Sequence, residues 1–319
     1  VSRRRIRGVI QVAISAALMA VVLRQVHWAD VRDAFASIDL RWLALAWGLF
    51  LLGVVVRAAR WQTLLEALDV HRRLAELSAW YFAGSFFNVV LPTGFGGDAV
   101  RVAELAQDIN RLDLALNSVI VDRYLGIMVL LAMGLAAGVL APVLAPSAVV
   151  WVTAILFVAG LAAAAILATP WWSELARRPG PVGRLVTALR LPKVAGAMRP
   201  YDKRTLARAL LISFLFNILQ IGWNVAIARG LDMQVPLSAF FVFVPLTAVA
   251  LLLPAFGGLG VRELTYVGLF GSVGVPQAQA LALSLGVYAI TVATGLLGGL
   301  IYLFGGVRRA SGGATGKGE

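Results

Sequence analysis

Phe95-Gly96-Gly97-Asp98-Ala99-Val100-Arg101 recurs in register as Phe256-Gly257-Gly258-Leu259-Gly260-Val261-Arg262, keeping the Phe, two glycines, the Val and the Arg. Each copy follows an apolar run ending in Leu-Pro, at Leu91-Pro92 and Leu253-Pro254, and each precedes a segment with helical spacing. Proline removes a backbone donor and glycine tolerates a tight turn, so each copy reads as a break between two helices. The turn positions are Pro92, Gly96 and Gly97 in the first copy, and Pro254, Gly257, Gly258 and Gly260 in the second. Asp98 is placed to cap the helix after the first break, and Gly260 stands in that role after the second.

Composition sets the medium around these breaks. Of 319 residues, 60% are hydrophobic and only 14% are charged, about half the charged fraction of a soluble domain. Long apolar runs of this kind are membrane spans, and no stretch outside them is long enough to bury a soluble core. The expected class is therefore all-α: one polytopic helical membrane domain over 1–307, with a disordered basic tail over 308–319. There is no cysteine and the only histidines are His27 and His71, so thiolate chemistry is excluded and His-based metal sites and triads have almost no material. We expect no metal, no cofactor and no catalytic residue. The net charge of +12 sits at the ends and between apolar runs, which is the positive-inside pattern of a membrane protein rather than a nucleic-acid surface.

Apolar runs give spans at about 8–23, 40–56, 114–140, 148–168, 206–228 and 278–304, with an interfacial helix over 28–38. Arg57 and Arg60 end the second run and read as side chains snorkelling to the interface. Three basic clusters, at the N-terminus, at 57–73 and at 177–204, belong on the cytoplasmic side. Segment 74–113 must then begin and end inside, and segment 236–275 must begin and end outside. Both become re-entrant helical hairpins, which gives six full spans and two hairpins, with N- and C-termini cytoplasmic in the cell (inner) membrane. The two units, 40–140 and 206–304, form an inverted repeat, a transporter signature. Eight simple spans are the alternative; they place the most basic loop, 171–205, outside, against the charge rule.

A broken helix in a bilayer must face protein or a wet cavity. Each hairpin aims a helix N-terminus inward, where free N–H groups and a partial positive charge suit phosphate or carboxylate. Arg101 and Arg262 lie in the first turns and add full charges, while Asp98, Glu104, Asp122, Arg123 and Glu263 are the other ionisable candidates. The bland reading pairs these groups with each other to lock the fold. Polar stripes at helical spacing, including Asn88, Asn217 and Gln220, fit either a wet interior or interhelical hydrogen bonding. Gly295 and Gly299 read as a packing pair.

Pro92 through Arg101, Asp122-Arg123-Tyr124-Leu125-Gly126, and Pro254 through Glu263 together resemble the flippase-like family of the lysylphosphatidylglycerol synthase transmembrane region. The resemblance covers nearly the whole chain and takes in none of the soluble aminoacyl-transfer domain of the synthases, so the expectation it gives is the translocation half of that activity only. By resemblance, Arg101, Arg123, Arg262 and Glu263 fall on motif positions, and Asp98 less securely. The implied function is a lipid translocator for an anionic or phosphate-bearing lipid. Its partners would be membrane lipids with a phospholipid or polyprenyl-phosphate-linked head group, and no nucleic acid. The alternatives are a membrane-embedded transferase on a lipid-linked sugar and a non-catalytic partner of an envelope-lipid enzyme.

Overall fold

The computed structural model describes residues 32–33, 36, 38–90, 96–144, 147–168, 180, 200–251 and 260–314. Among them the chain is all helical: α1 (Leu40–Glu66), α2 (Leu74–Val90), α3 (Gly96–Ile109), α4 (Leu112–Leu140), α5 (Ser147–Ala168), α6 (Lys203–Gly230), α7 (Leu237–Ala250), α8 (Val261–Gly271) and α9 (Gln277–Ala314). The expected span at 8–23, nearly all of the interfacial helix and most of the basic 171–205 loop lie outside the described residues, as do Pro92, Pro254, Gly257 and Gly258.

Five of the helices, α1, α4, α5, α6 and α9, are long and apolar enough to cross a bilayer. They coincide with the five apolar runs read from the sequence after the first. The molecule is a polytopic helical membrane protein. Its outer surface agrees: Trp151, Ile155, Val158 and Leu161 of α5 are exposed, and side chains of this kind in such numbers need lipid rather than water around them.

α1 starts at Asp39, whose carboxylate accepts the Arg41 backbone N–H at 2.8 Å. It runs well past Arg57, because Ala58, Trp61, Leu64 and Leu65 continue its apolar face and are fully buried. α9 is helical to Ala314.

α1 lies antiparallel on α6, the most extensive helix pair among the described residues. Glycines permit the approach. A Cβ on Gly53 would stand 3.0 Å from the Trp223 ring, and one on Gly230 would stand 3.1 Å from Trp42. Small residues at helix crossings serve this purpose in membranes, where packing rather than water drives association.

α2 and α3 form an antiparallel hairpin. Gly84 of α2 faces Gly97 of α3 so closely that a Cβ on either would meet the other's backbone at 2.7–3.0 Å. The two helices have 17 and 14 residues, or about 25 and 21 Å at 1.5 Å per residue, short of a hydrocarbon core of about 30 Å. α7 and α8, with 14 and 11 residues, are shorter still, and Phe240 and Phe243 of α7 pack on Phe270 of α8 at 5.3 and 5.1 Å.

The packing has an internal order. α2 packs on α3, on α1 and on α9; α7 packs on α8, on α6 and on α4. α3 packs on α4 as α8 packs on α9, and α1 touches α4 as α6 touches α9. Exchanging α1–α4 with α6–α9 leaves these contacts the same. α5 falls outside that pattern, leaning on α4 and, more lightly, on α7.

Candidate functional site

The first hairpin, α1, α4, α6 and the end of α7 enclose a cavity of about 360 Å³. α1 contributes Arg57 and Arg60, α2 contributes Tyr81, Ser85 and Asn88, and α3 contributes Asp98 and Arg101. α4 adds Asp122, Arg123 and Gly126, while α6 adds Asn217 and Gln220.

Asp122 is the centre of the charge network. It is 1% exposed. Its Oδ1 accepts Arg60 Nε at 2.7 Å, and its Oδ2 accepts both the Tyr81 hydroxyl at 2.7 Å and Arg101 Nη1 at 2.9 Å. Arg60 also donates to Ser213 Oγ at 3.0 Å. Arg101 reaches a second carboxylate, Asp98, which is shared with Arg123. Bidentate and multiply bonded guanidinium groups of this kind are the ones that tolerate removal from water.

Asp98 therefore does not cap α3. That helix already begins at Gly96, so Gly96 and Gly97 are its buried first residues rather than turn residues. Asn88 takes the capping role: its Oδ1 accepts the Gly97 backbone N–H at 2.7 Å. The reason is the Gly84–Gly97 contact, which draws α3 against α2 from its first turn and leaves Asp98 facing the arginines.

Arg57 and Arg60 do not snorkel. Arg60 is 5% exposed and ion-paired. Arg57 lies over the rings of Tyr81 and Phe216 at 5.4 and 5.1 Å, its Nε is buried without a hydrogen-bond partner, and among the described residues no carboxylate is ion-paired with it. The sequence carried a signal for this: apolar residues at 58, 61, 64 and 65 continue the helix beyond both arginines.

The second hairpin is arranged differently. Gly260 has φ +83° and sits at the N-cap of α8, as expected. Glu263 closes the helix end on itself, its Oε2 accepting the Gly260 N–H at 2.6 Å. Its Oε1 accepts Arg262 Nη2 at 3.0 Å and the Ser284 hydroxyl at 3.4 Å. Arg262 also stacks over the Tyr288 ring at 4.8 Å. Glu263 is fully buried and Arg262 is 6% exposed, so this cluster is internally satisfied and neither residue lines the cavity. Glu104, on α3, does not line it either.

The structure thus gathers Arg101, Asp98, Asp122, Arg123, Asn88, Asn217 and Gln220 around one space, and places Arg262, Glu263 and Glu104 elsewhere. Missed from sequence were Arg57, Arg60 and Gly126. Gly126 makes room for the network: a Cβ there would stand 2.6 Å from Arg60 Nη1. The lining holds, among the described residues, four arginines and two aspartates. Among the described residues no group of three or more His, Asp or Glu could hold a metal ion. A recess lined by arginines inside an apolar bundle can hold an anion whose remainder stays in hydrocarbon.

Comparison with known proteins agrees with this setting. UPF0104 membrane protein PH1989 of Pyrococcus horikoshii is 25% identical over 316 residues, spanning 89% of this chain and 94% of that protein. The family model for the lysylphosphatidylglycerol synthase TM region matches residues 8–299. That match spans the hairpins, the charged cavity and all but the end of the last helix, and the chain belongs to the lysylphosphatidylglycerol synthase TM region family.

Proposed function

We propose that this protein translocates a phosphate-bearing lipid between the leaflets of the cell membrane. The observation that carries the proposal is the cavity: among the described residues it is lined by four arginines within an apolar helical bundle, and one of them, Arg57, keeps a buried Nε with no hydrogen-bond acceptor. A buried guanidinium N–H without an acceptor is costly unless a ligand oxygen reaches it. A phosphate head group supplies such an oxygen, and guanidinium groups match its geometry.

A second recess accounts for the rest of the ligand. It has about 520 Å³, is lined by Met133, Ala137 and Leu140 of α4 with Phe241 and Val242 of α7, and is apolar. α4 supplies Asp122 through Leu130 to the charged cavity and Met133 through Leu140 to the apolar recess, about one helical turn apart. One face of α4 therefore runs from a site for a charged head to a site for a chain.

The exchange symmetry of the packing supports an inverted repeat, with α1–α4 and α6–α9 as the two units and the hairpins entering from opposite leaflets. In that reading the first hairpin opens a site to one leaflet while the second, sealed by Glu263, closes the other. The termini are cytoplasmic by the charge rule.

The test is transfer of a fluorescent phospholipid across proteoliposome leaflets, read by dithionite quenching. Arg101→Gln is the informative variant, since Asp98 keeps Arg123 and Asp122 keeps Arg60 when Arg101 is lost. Wild-type protein is expected to equilibrate the leaflets, and the folded variant to be at least about tenfold slower, the equivalent of about 1.4 kcal/mol. Equal rates from protein-free vesicles and wild type refute the proposal.

A further inference from the structure

α7 lines both cavities, and a proline stands between its two parts. Phe241 and Val242 face the apolar recess, while Ala248 and Leu251 at the other end face the charged cavity. Pro245 lies between them and is the one proline inside a helix among the described residues. Proline has no N–H, so the Phe241 carbonyl one turn back receives no bond from position 245, and the pyrrolidine ring crowds that carbonyl. Helices bend at such points.

The two parts are held differently. Before the proline, Phe240 and Phe243 pack on Phe270 of α8 at 5.3 and 5.1 Å. Beyond it, the Thr247 hydroxyl is buried with no hydrogen-bond partner, whereas Ser213, Thr291 and Thr294 in other helices donate theirs to the carbonyl four residues back. Exchange of the two units pairs α7–α4 with α2–α9, and the two contacts are unlike. Across α2–α9, a Cβ on Gly298 would strike the Phe82 backbone, and one on Gly295 would stand 3.0 Å from Val89. Across α7–α4, the atoms of α7 nearest a Cβ on Gly134 belong to side chains, Pro245 Cβ at 3.3 Å and Leu246 Cδ2 at 3.9 Å. Backbone against backbone has no room to shift, whereas helices in contact through apolar side chains can slide.

We infer that the end of α7, Leu246 to Leu251, is a gate that turns at Pro245 while α2 stays fixed on α9. In the structure it is closed. Pro245 and Leu246 stand against Gly134, where α4 passes from the charged cavity to the apolar recess. Swung away from α4, the same segment joins the two spaces and gives the chain of a lipid, its head in the cavity, a way out between α4 and α7. That route rests on the translocator reading; the hinge does not.

Two measurements test it separately. The first is backbone amide exchange of the purified protein in detergent, read by mass spectrometry. Segment 246–251 is expected to exchange at least about tenfold faster than segment 84–88 of α2, which lines the same cavity and lies as near the end of its helix. Pro245→Ala restores the N–H and should slow segment 246–251 toward the α2 rate. The second is transfer of a fluorescent phospholipid in proteoliposomes. The chain has no cysteine of its own, so Gly134→Cys with Leu246→Cys can be bridged by a methylene bis-thiosulfonate. The bridged protein is expected to transfer lipid at least about tenfold more slowly than the same variant before bridging or after reduction. Val89→Cys with Gly295→Cys, bridged across α2–α9, is the matched control and should lose less than about twofold. Equal exchange in the two segments overturns the gate, as does bridging that slows both variants alike or slows neither. Exchange unchanged in Pro245→Ala overturns the proline as its hinge. Fast exchange at 246–251 in a wild type that transfers no lipid leaves the gate standing and removes the translocator reading. Lipid transfer with slow exchange at 246–251 does the reverse.

Discussion

Asp122 shows how much of this protein is decided at single positions. Its carboxylate answers two arginines and a tyrosine from three different helices, and it is 1% exposed. Removing one member of a buried ion pair strands its partners, which typically costs about 3–5 kcal/mol. Asp122→Asn keeps the shape and removes the charge, taking from Arg60 its ion-pair partner and from Arg101 one of its two carboxylates. A loss of about 3 kcal/mol or more in reversible unfolding in mixed detergent is expected, and a loss under about 1 kcal/mol would show that the network is solvated rather than buried. Pairing Asp122→Asn with Arg60→Met should cost less than the sum of the two, because each removes the other's stranded charge. From sequence, Asp122 and Arg123 were visible as charges within an apolar run, and Arg101 as a repeated one. Their partners were not, since Arg60 lies 62 residues away from Asp122 along the chain.

At the scale of the helix, glycines decide which elements can meet. On α9, a Cβ at Gly298 would lie 1.8 Å from the Phe82 carbonyl oxygen of α2, and one at Gly299 would lie 2.8 Å from the Phe86 ring. Backbone cannot yield as a side-chain tip can, so Gly298→Ala must push α9 off α2 and with it the outer wall of the first hairpin. Overpacking of this kind costs about 1–3 kcal/mol or more. Gly48 on α1 is the matched control, with nothing within 4 Å of its Cβ position. Gly48→Ala is expected to be neutral or slightly stabilising by helix propensity, whereas Gly298→Ala should lower the thermal midpoint by several degrees in a fluorescence size-exclusion assay. Equal midpoints would mean that α2 and α9 are not in register as described. The Gly295 and Gly299 pair was legible as packing; that Gly298, between them, makes the tightest contact was not.

The arrangement of whole units makes a topological prediction. If α2–α3 and α7–α8 enter from opposite leaflets, Arg111 before α4 and Gln277 at the start of α9 lie on opposite sides of the membrane. Eight simple spans would put both outside. Both side chains are exposed and the chain has no cysteine of its own, so Arg111→Cys and Gln277→Cys can be probed singly with an impermeant maleimide. External labelling of Gln277→Cys alone is the expected outcome; labelling of both from outside refutes the hairpin topology. The helix lengths already lean one way, because two pairs of 17 and 14, and of 14 and 11 residues are short for crossing about 30 Å of hydrocarbon.

Hydrophobic run length and the placement of arginines determined the class of this protein, its long helices and the two broken segments, because a bilayer leaves the backbone few ways to satisfy its hydrogen bonds. The same logic misplaced Arg57 and Arg60, since a charge at the end of an apolar run looks identical whether it meets water or a carboxylate on another helix. Tertiary structure alone decided that the first hairpin holds an open cavity lined by arginines while the second, with the same Gly-rich motif, is closed by Glu263 onto Gly260. Pairing energy depends on which helices are brought within hydrogen-bonding distance, about 3 Å, and that distance is set by side chains far apart in the chain.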